Sequence, residues 1–239
     1  MTTVNGLIIN ALKATGLCGE NEAPDGYYQN AALHELNSLC TELNLEDYIS
    51  ENRKEKFVTT TGTVTIGNSD NFDIKEELVP DAIKVVARKV GNRYLRLIKT
   101  DKATIYSRTR TSLPSICTYG QEYDESEHCM KGIIFTDGGT SCELLVIYNK
   151  KLPEYKIDDE LWLSDMSVNL IEEGLKYKLT IRFKLPDQPV FEDAFNDYKR
   201  LVQNVNGQNN PMTYENLVGG SSSLKPNGKL NSISVAAFA

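Results

Sequence analysis

Acidic side chains gather twice along this chain. Glu122, Asp124, Glu125 and Glu127 fall within six positions, and Asp158, Asp159 and Glu160 are consecutive. Paired carboxyls can hydrolyse a glycosidic bond when one has a raised pKa and faces the other across a cleft. Acids crowded into one short stretch more commonly form a solvated loop, and neither cluster reads as a catalytic pair. The two histidines, His34 and His128, leave little scope for acid–base or metal chemistry. The one set with metal-ligand side chains is Cys117, His128, Cys129 and Cys142, and no Cys-x-x-Cys or His-x-x-x-His pair anchors it. His128 and Cys129 are adjacent, so on a strand they would point in opposite directions. Five scattered cysteines are expected to be free thiols in a reducing cytosol.

Phosphate-cradling and nucleophile motifs are missing. The chain has no Gly-x-x-x-x-Gly-Lys-Ser/Thr run, no Gly-x-Gly-x-x-Gly after a strand and no Gly-x-Ser-x-Gly elbow. Gly138-Gly139 reads as a hairpin turn. The expectation is therefore a protein with no catalytic residues, no metal and no cofactor. Arg88, Lys89, Arg93, Arg96, Lys99 and Lys102, followed by Arg108 and Arg110 and interleaved with Tyr94 and Tyr106, offer a nucleic-acid patch. Charges on the wet side of a sheet explain the same pattern and are preferred. The net charge of −7, from 33 acidic and 26 basic residues, also argues against a dedicated nucleic-acid binder. It suits a lining past which DNA slides, because binding is driven by cations that displace counterions.

Such groups need elements to position them, and hydrophobic periodicity supplies those elements. The 239 residues, 40% hydrophobic and 25% charged, are enough for one good core or two modest ones. No apolar run reaches membrane-spanning length, and the start of the chain lacks the pattern of a secretory signal. Val4, Leu7, Ile8, Ala11 and Leu12 form a helical stripe, capped by Thr3 and stopped at Gly16. Tyr28, Ala32, Leu36, Leu39 and Leu43 repeat it after Asp25. Between 55 and 150 the pattern turns to alternating, β-branched runs with a hairpin at Gly91-Asn92 and a short helix within 100–107. Leu170, Ile171, Leu175, Leu179 and Phe183, then Phe191, Ala194, Phe195, Tyr198, Leu201, Val202 and Val205, make two more helices.

The expected fold class is α+β. A helical hairpin (1–50) and a second hairpin (161–206) would complete a four-helix bundle, with an antiparallel β domain (51–160) inserted between them. Residues 207–239 carry linker-like Gly, Ser and Asn and end in the apolar run 233–239. They are expected to be an extended tail, either partner-docking or disordered.

Three stretches carry a family likeness: Val4-Asn5-Gly6-Leu7-Ile8-Ile9-Asn10-Ala11-Leu12, Pro80-Asp81-Ala82-Ile83-Lys84-Val85, and the run from Leu144 to Leu152-Pro153 followed by Asp158-Asp159. With the order helix pair, β insertion, helix pair and tail, the chain resembles the podovirus head-to-tail adaptors. These are also called tail accessory factors, head-completion or packaged-DNA stabilisation proteins. The likeness covers roughly residues 3–205. It implies a virion protein made in the host cytoplasm, with no enzymatic activity. Its twelve-subunit ring would bind below the portal protein, meet the tail tube or nozzle, and pass packaged DNA without specific binding or membrane contact. By the same analogy the tail docks on the portal, with Tyr214, Leu217, Ile233, Val235 and Phe238 as its apolar contacts. Cell-wall hydrolase activity is ascribed to some members, so a peptidoglycan-cleaving virion enzyme using acids such as Glu122 or Glu127 is one alternative. A small DNA-binding module using the Arg88–Arg110 stretch is another.

Overall fold

A computed structural model of the chain describes residues 2–107, 113–209 and 217–218. Its first helix, α1 (Val4–Ala14), starts where the Thr3 hydroxyl accepts a hydrogen bond from the Gly6 amide at 3.1 Å. It stops at Gly16, whose φ of +73° continues the chain in a conformation only glycine adopts freely. Asp25 caps α2 (Gly26–Leu45) by accepting from the Tyr27 amide at 2.7 Å. Ser164 caps α4 (Asp165–Phe183), and α5 (Gln188–Asn209) follows after a short turn. A six-residue helix, α3 (Lys102–Ser107), lies inside the β region.

The strands are β1 (Thr2–Thr3), β2 (Arg53–Thr60), β3 (Thr63–Gly67), β4 (Ile74–Lys75), β5 (Ile83–Val90), β6 (Arg93–Arg96), β7 (Ile98–Lys99), β8 (Ile116–Asp124), β9 (Cys129–Thr136), β10 (Cys142–Asn149), β11 (Glu160–Leu161) and β12 (Leu217–Val218). They form a ribbon, β1-β11, and two five-stranded sheets, β12-β6-β5-β10-β2 and β4-β3-β9-β8-β7. One apolar layer joins the large sheets: Val86, Leu144, Val146 and Tyr148 come from the first, and Val64, Ile66, Cys117 and Ile134 from the second. Alternation along each strand places these residues on the inner faces.

Three expectations need correction. The four-helix bundle is not shown. Instead α4 is a hub that packs against α1, α2 and α5, and the helical core is closed by non-helical Tyr48, Ile49, Tyr155 and Leu161. Its buried residues include Ser167, Val168, Gly174 and Thr180 besides the expected leucines, so burial covers about half of its circumference. An apolar stripe omits small and hydroxyl residues, and so underestimates the contact face of a central helix. At Gly174 an added Cβ would lie 2.7 Å from both Leu39 and Phe195, so α2 and α5 close onto α4 there.

The β region, secondly, is not purely antiparallel: β3–β4, β7–β8 and β6–β12 pair in parallel. These contacts involve two-residue strands, too short to show alternation. Thirdly, the Gly138-Gly139 turn does not close a hairpin. Strand β9 pairs with β3 and β8, and β10 with β2 and β5, so the turn carries the chain from one sheet to the other.

Asparagine amides fasten the helices to the first sheet. Asn149 Nδ2 donates to the Asn44 carbonyl at 2.6 Å, Asn44 Nδ2 donates to the Lys150 carbonyl at 3.0 Å, and Asn52 Nδ2 donates to Asn44 Oδ1 at 3.3 Å. Asn44 and Asn149 are both buried. Replacing Asn44 with Ala leaves the Lys150 carbonyl and the Asn52 amide without this partner. Urea denaturation of Asn44→Ala is expected to show a loss of about 1–3 kcal/mol. Replacing the solvent-exposed Asn10 of α1 with Ala should leave stability within about 0.5 kcal/mol of the parent.

Candidate interaction surfaces

The segment after α5 returns to the sheet. Leu217 and Val218 pair in parallel with Tyr94 and Leu95, so β12 forms an outer strand beyond β6. Of the five tail residues expected to contact a portal, Leu217 lies on this strand. Tyr214, Ile233, Val235 and Phe238 lie outside the described residues, as do Arg108 and Arg110.

Large apolar side chains are exposed on both the helices and the sheets. At the start of α2, Tyr27 is 67% exposed, and its ring meets Tyr28 and Phe183 edge-to-face at 5.5 and 6.2 Å. Val190, near the start of α5, is 66% exposed. On the first sheet Phe57, 60% exposed, packs on Tyr94 at 5.7 Å. The Tyr94 hydroxyl donates to Glu143 at 2.5 Å, and this bond, with smaller contributions from burial and the carboxylate charge, pushes the phenol pKa up to about 12.

Trp162, the sole tryptophan, is 74% exposed between β11 and α4. Glu51 holds the backbone beside it: its carboxylate accepts from the Ser164 amide at 3.1 Å and from the Ser167 hydroxyl at 3.0 Å. Burial pushes the Glu51 pKa up, but these hydrogen bonds outweigh it and leave the group below its ordinary value.

The acidic clusters are built into the scaffold. Asp124 accepts from Lys131 Nζ at 2.7 Å, from the Ser126 hydroxyl at 2.6 Å and from two backbone amides. The Lys131 bond, then the Ser126 hydroxyl, hold its carboxyl well below the usual range. Glu127 accepts from Ser69 at 2.6 Å and Asn71 at 2.7 Å, which lower its pKa and tie the β8–β9 tip to the loop after β3. Glu122 pairs with Lys131 at 3.2 Å. Asp159 accepts from the Lys156 amide through its carboxylate and from the Val4 amide through its carbonyl, which anchors the start of α1. Glu160 lies in β11 opposite Thr3. Held-down carboxyls such as Asp124 and Glu127 are poor proton donors for glycosidic cleavage.

The sulfur and imidazole groups are dispersed. Cys117 faces Thr136 and Cys129 faces Asp124, at opposite ends of the β8–β9 hairpin and about 24 Å apart along the strand. Cys142 opens β10 in the other sheet, and His128 turns at the hairpin tip with φ +52°. His34 lies on α2, 3.8 Å from Glu35. Of the basic stretch, Lys89 pairs with Glu143 at 3.1 Å, and Lys102 sits 4.4 Å over the Phe135 ring.

Sequence reasoning missed Asp137, which directly precedes the Gly138-Gly139 turn. The residue is 1% exposed and accepts from the Ser115 amide and hydroxyl, each at 2.7 Å, and from the Ile116 amide at 3.0 Å. An Asp before two glycines signals a turn, but nothing local reveals partners twenty-two residues upstream. No protein-family model matches the chain, and no curated protein matches it.

Burial pushes the Asp137 pKa up, yet the bonds from Ile116 and Ser115 prevail and leave it below its ordinary 3.8. A lowered folded-state pKa stabilises the fold above the unfolded value, and that stability is lost as pH falls through the folded value. The parent should therefore lose stability below about pH 4, and Asp137→Asn should flatten that loss in acid urea titrations. Asp137→Ala, which strands buried donors, should cost about 1–3 kcal/mol at pH 7.

Proposed function

We propose that this chain is a structural subunit of a short-tailed phage head-to-tail connector. In this reading it forms an adaptor ring, expected to have twelve copies, bound below the portal protein and joined to the tail tube or nozzle. The observation that carries the reading is the presence of separate exposed apolar groups, Tyr27 and Val190 on the helices and Phe57 on the first sheet. Exposed apolar clusters mark interaction surfaces, and a subunit held between two different partners needs more than one. Trp162, between β11 and α4, adds a further exposed apolar group that ring closure by a head-to-tail contact would use. The likeness in helix order, β insertion and the Leu152-Pro153 step supports the same reading. The muralytic alternative is disfavoured by the depressed Asp124 and Glu127 carboxyls.

Light-scattering mass of the full chain, alone and mixed with the cognate portal protein, tests the proposal. The expected result is conversion to a stoichiometric ring complex, lost on removing residues 207–239 and weakened at least tenfold by Tyr27→Ser with Val190→Ser. A chain that stays near 26.7 kDa in both samples refutes the connector.

A further inference from the structure

Arg53, Asn149 and Asp47 meet where the helices join the first sheet. Arg53 opens β2 and Asn149 closes β10, and the two face each other in register. Residues directly opposed on antiparallel strands lie about 5 Å apart and project from the same face of the sheet. Asp47 follows α2 in a left-handed conformation, with φ +70°. Its amide donates to the Asn44 carbonyl at 3.3 Å, the same oxygen that accepts from Asn149 Nδ2 at 2.6 Å. Its carboxylate also comes within 3.8 Å of the Arg53 guanidinium. The end of α2, the start of β2 and the end of β10 thereby draw three polar side chains to one place.

Each of the three holds a buried polar atom with no hydrogen-bond partner in the protein: Asp47 Oδ1, Arg53 Nε and Asn149 Oδ1. Among the described residues one further buried side-chain nitrogen or oxygen shares that condition, Arg88 Nε on β5. Buried polar atoms are nearly always satisfied, so three at one junction call for a common partner. Asn149 is only 4% exposed, and its orientation is fixed. The Asn44 carbonyl can only accept, so it must face the amide nitrogen and leave Oδ1 on the other side. Arg53 Nη1 and Asp47 Oδ2, at 3.8 Å, are too far apart for a hydrogen bond, so the two charged groups do not satisfy each other.

The chemistry of the missing contacts narrows the partner. One N–H donor and two oxygen acceptors converge. A cation would gain the oxygens but meet the guanidinium charge, and an anion would gain the N–H but meet the oxygens. A neutral molecule that accepts once and donates twice suits all three. Water does this, and buried waters typically make about three hydrogen bonds to groups otherwise unsatisfied.

We propose that one buried water molecule bridges Arg53 Nε, Asp47 Oδ1 and Asn149 Oδ1 as a fixed component of the helix–sheet junction. It accepts from Arg53 and donates to Asp47 and Asn149. Asn44 bonds β10 and the chain before β2, and the water ties the first residue of β2 itself to β10 and to the end of α2. Such a water serves the fold whether or not the chain forms a connector.

A crystal structure of the full chain that resolves internal waters should show one within hydrogen-bond distance of all three atoms. Oxygen-17 relaxation dispersion, which counts immobilised internal waters, makes the same test in solution. Arg53→Met removes the donor and should lower that count by one. Asp47→Asn keeps an acceptor and tolerates the left-handed backbone, so it should leave the count unchanged. Arg200→Met, at an exposed residue of α5, should also leave it unchanged. Circular dichroism should show the variants folded, and if Arg53→Met does not fold, the crystal structure of the parent decides alone. A direct hydrogen bond between Arg53 and Asp47 with no water between them, a metal ion at that position, or an undiminished count in folded Arg53→Met would each overturn the proposal.

Discussion

The join between helices and sheets rests on the backbone at the end of α2. Asn44 turns a helix terminus, which leaves carbonyls without intrahelical partners, into a connector that bonds β10 and the chain just before β2. Buried amides are costly unless satisfied, so this set of bonds tolerates one relative placement of helices and sheet. Lys84 adds a bond from β5 to the Leu45 carbonyl, and Arg53 lies 3.8 Å from Asp47. The first sheet takes its position relative to the helices from this junction.

The charge distribution is equally organised. A net charge of −7 describes no part of the molecule well. Lys178 with Glu42, Arg182 with Glu35 and Lys199 with Glu46 tie α4 and α5 to α2 and its end, and Lys131 neutralises the β8–β9 hairpin tip. Residues 82–107 carry a local excess of six positive charges, which averaging over 239 residues erases.

Local features were legible in the sequence and distant ones were not. Thr3, Asp25 and Ser164 cap helices as their types and positions indicate, and Gly91 turns the β5–β6 hairpin with φ +59°. Each depends on contacts within four residues. The hub role of α4 was hidden because Gly174 contributes by having no side chain, which no hydrophobic pattern registers. The assignment of strands to sheets was hidden too, since β2 and β3 are separated by two residues yet belong to different sheets. Of the surface groups, the basic stretch was visible as a list of residues. The pairing of Lys89 with Glu143 was not, because it is decided by a side chain far away in sequence.

Two of the crossings between the large sheets, β2 to β3 and β9 to β10, lie side by side. The Gly62 carbonyl accepts from both the amide and the hydroxyl of Thr136, at 2.8 and 2.9 Å, and a Cβ at Gly62 would come within 3.2 Å of the Gly138 carbonyl. This clasp sits at the end of β2 and the start of β10, while the asparagine junction holds the opposite ends of those strands. The helices grip the first sheet, and the second is carried by it through the shared apolar layer and the clasp. Mechanically the arrangement is a cantilever: a push on the helical unit enters through β2, β5 and β10 and reaches the far sheet last. Stiffness along β2 and β10 thus governs how faithfully a displacement of the helices arrives at the far sheet.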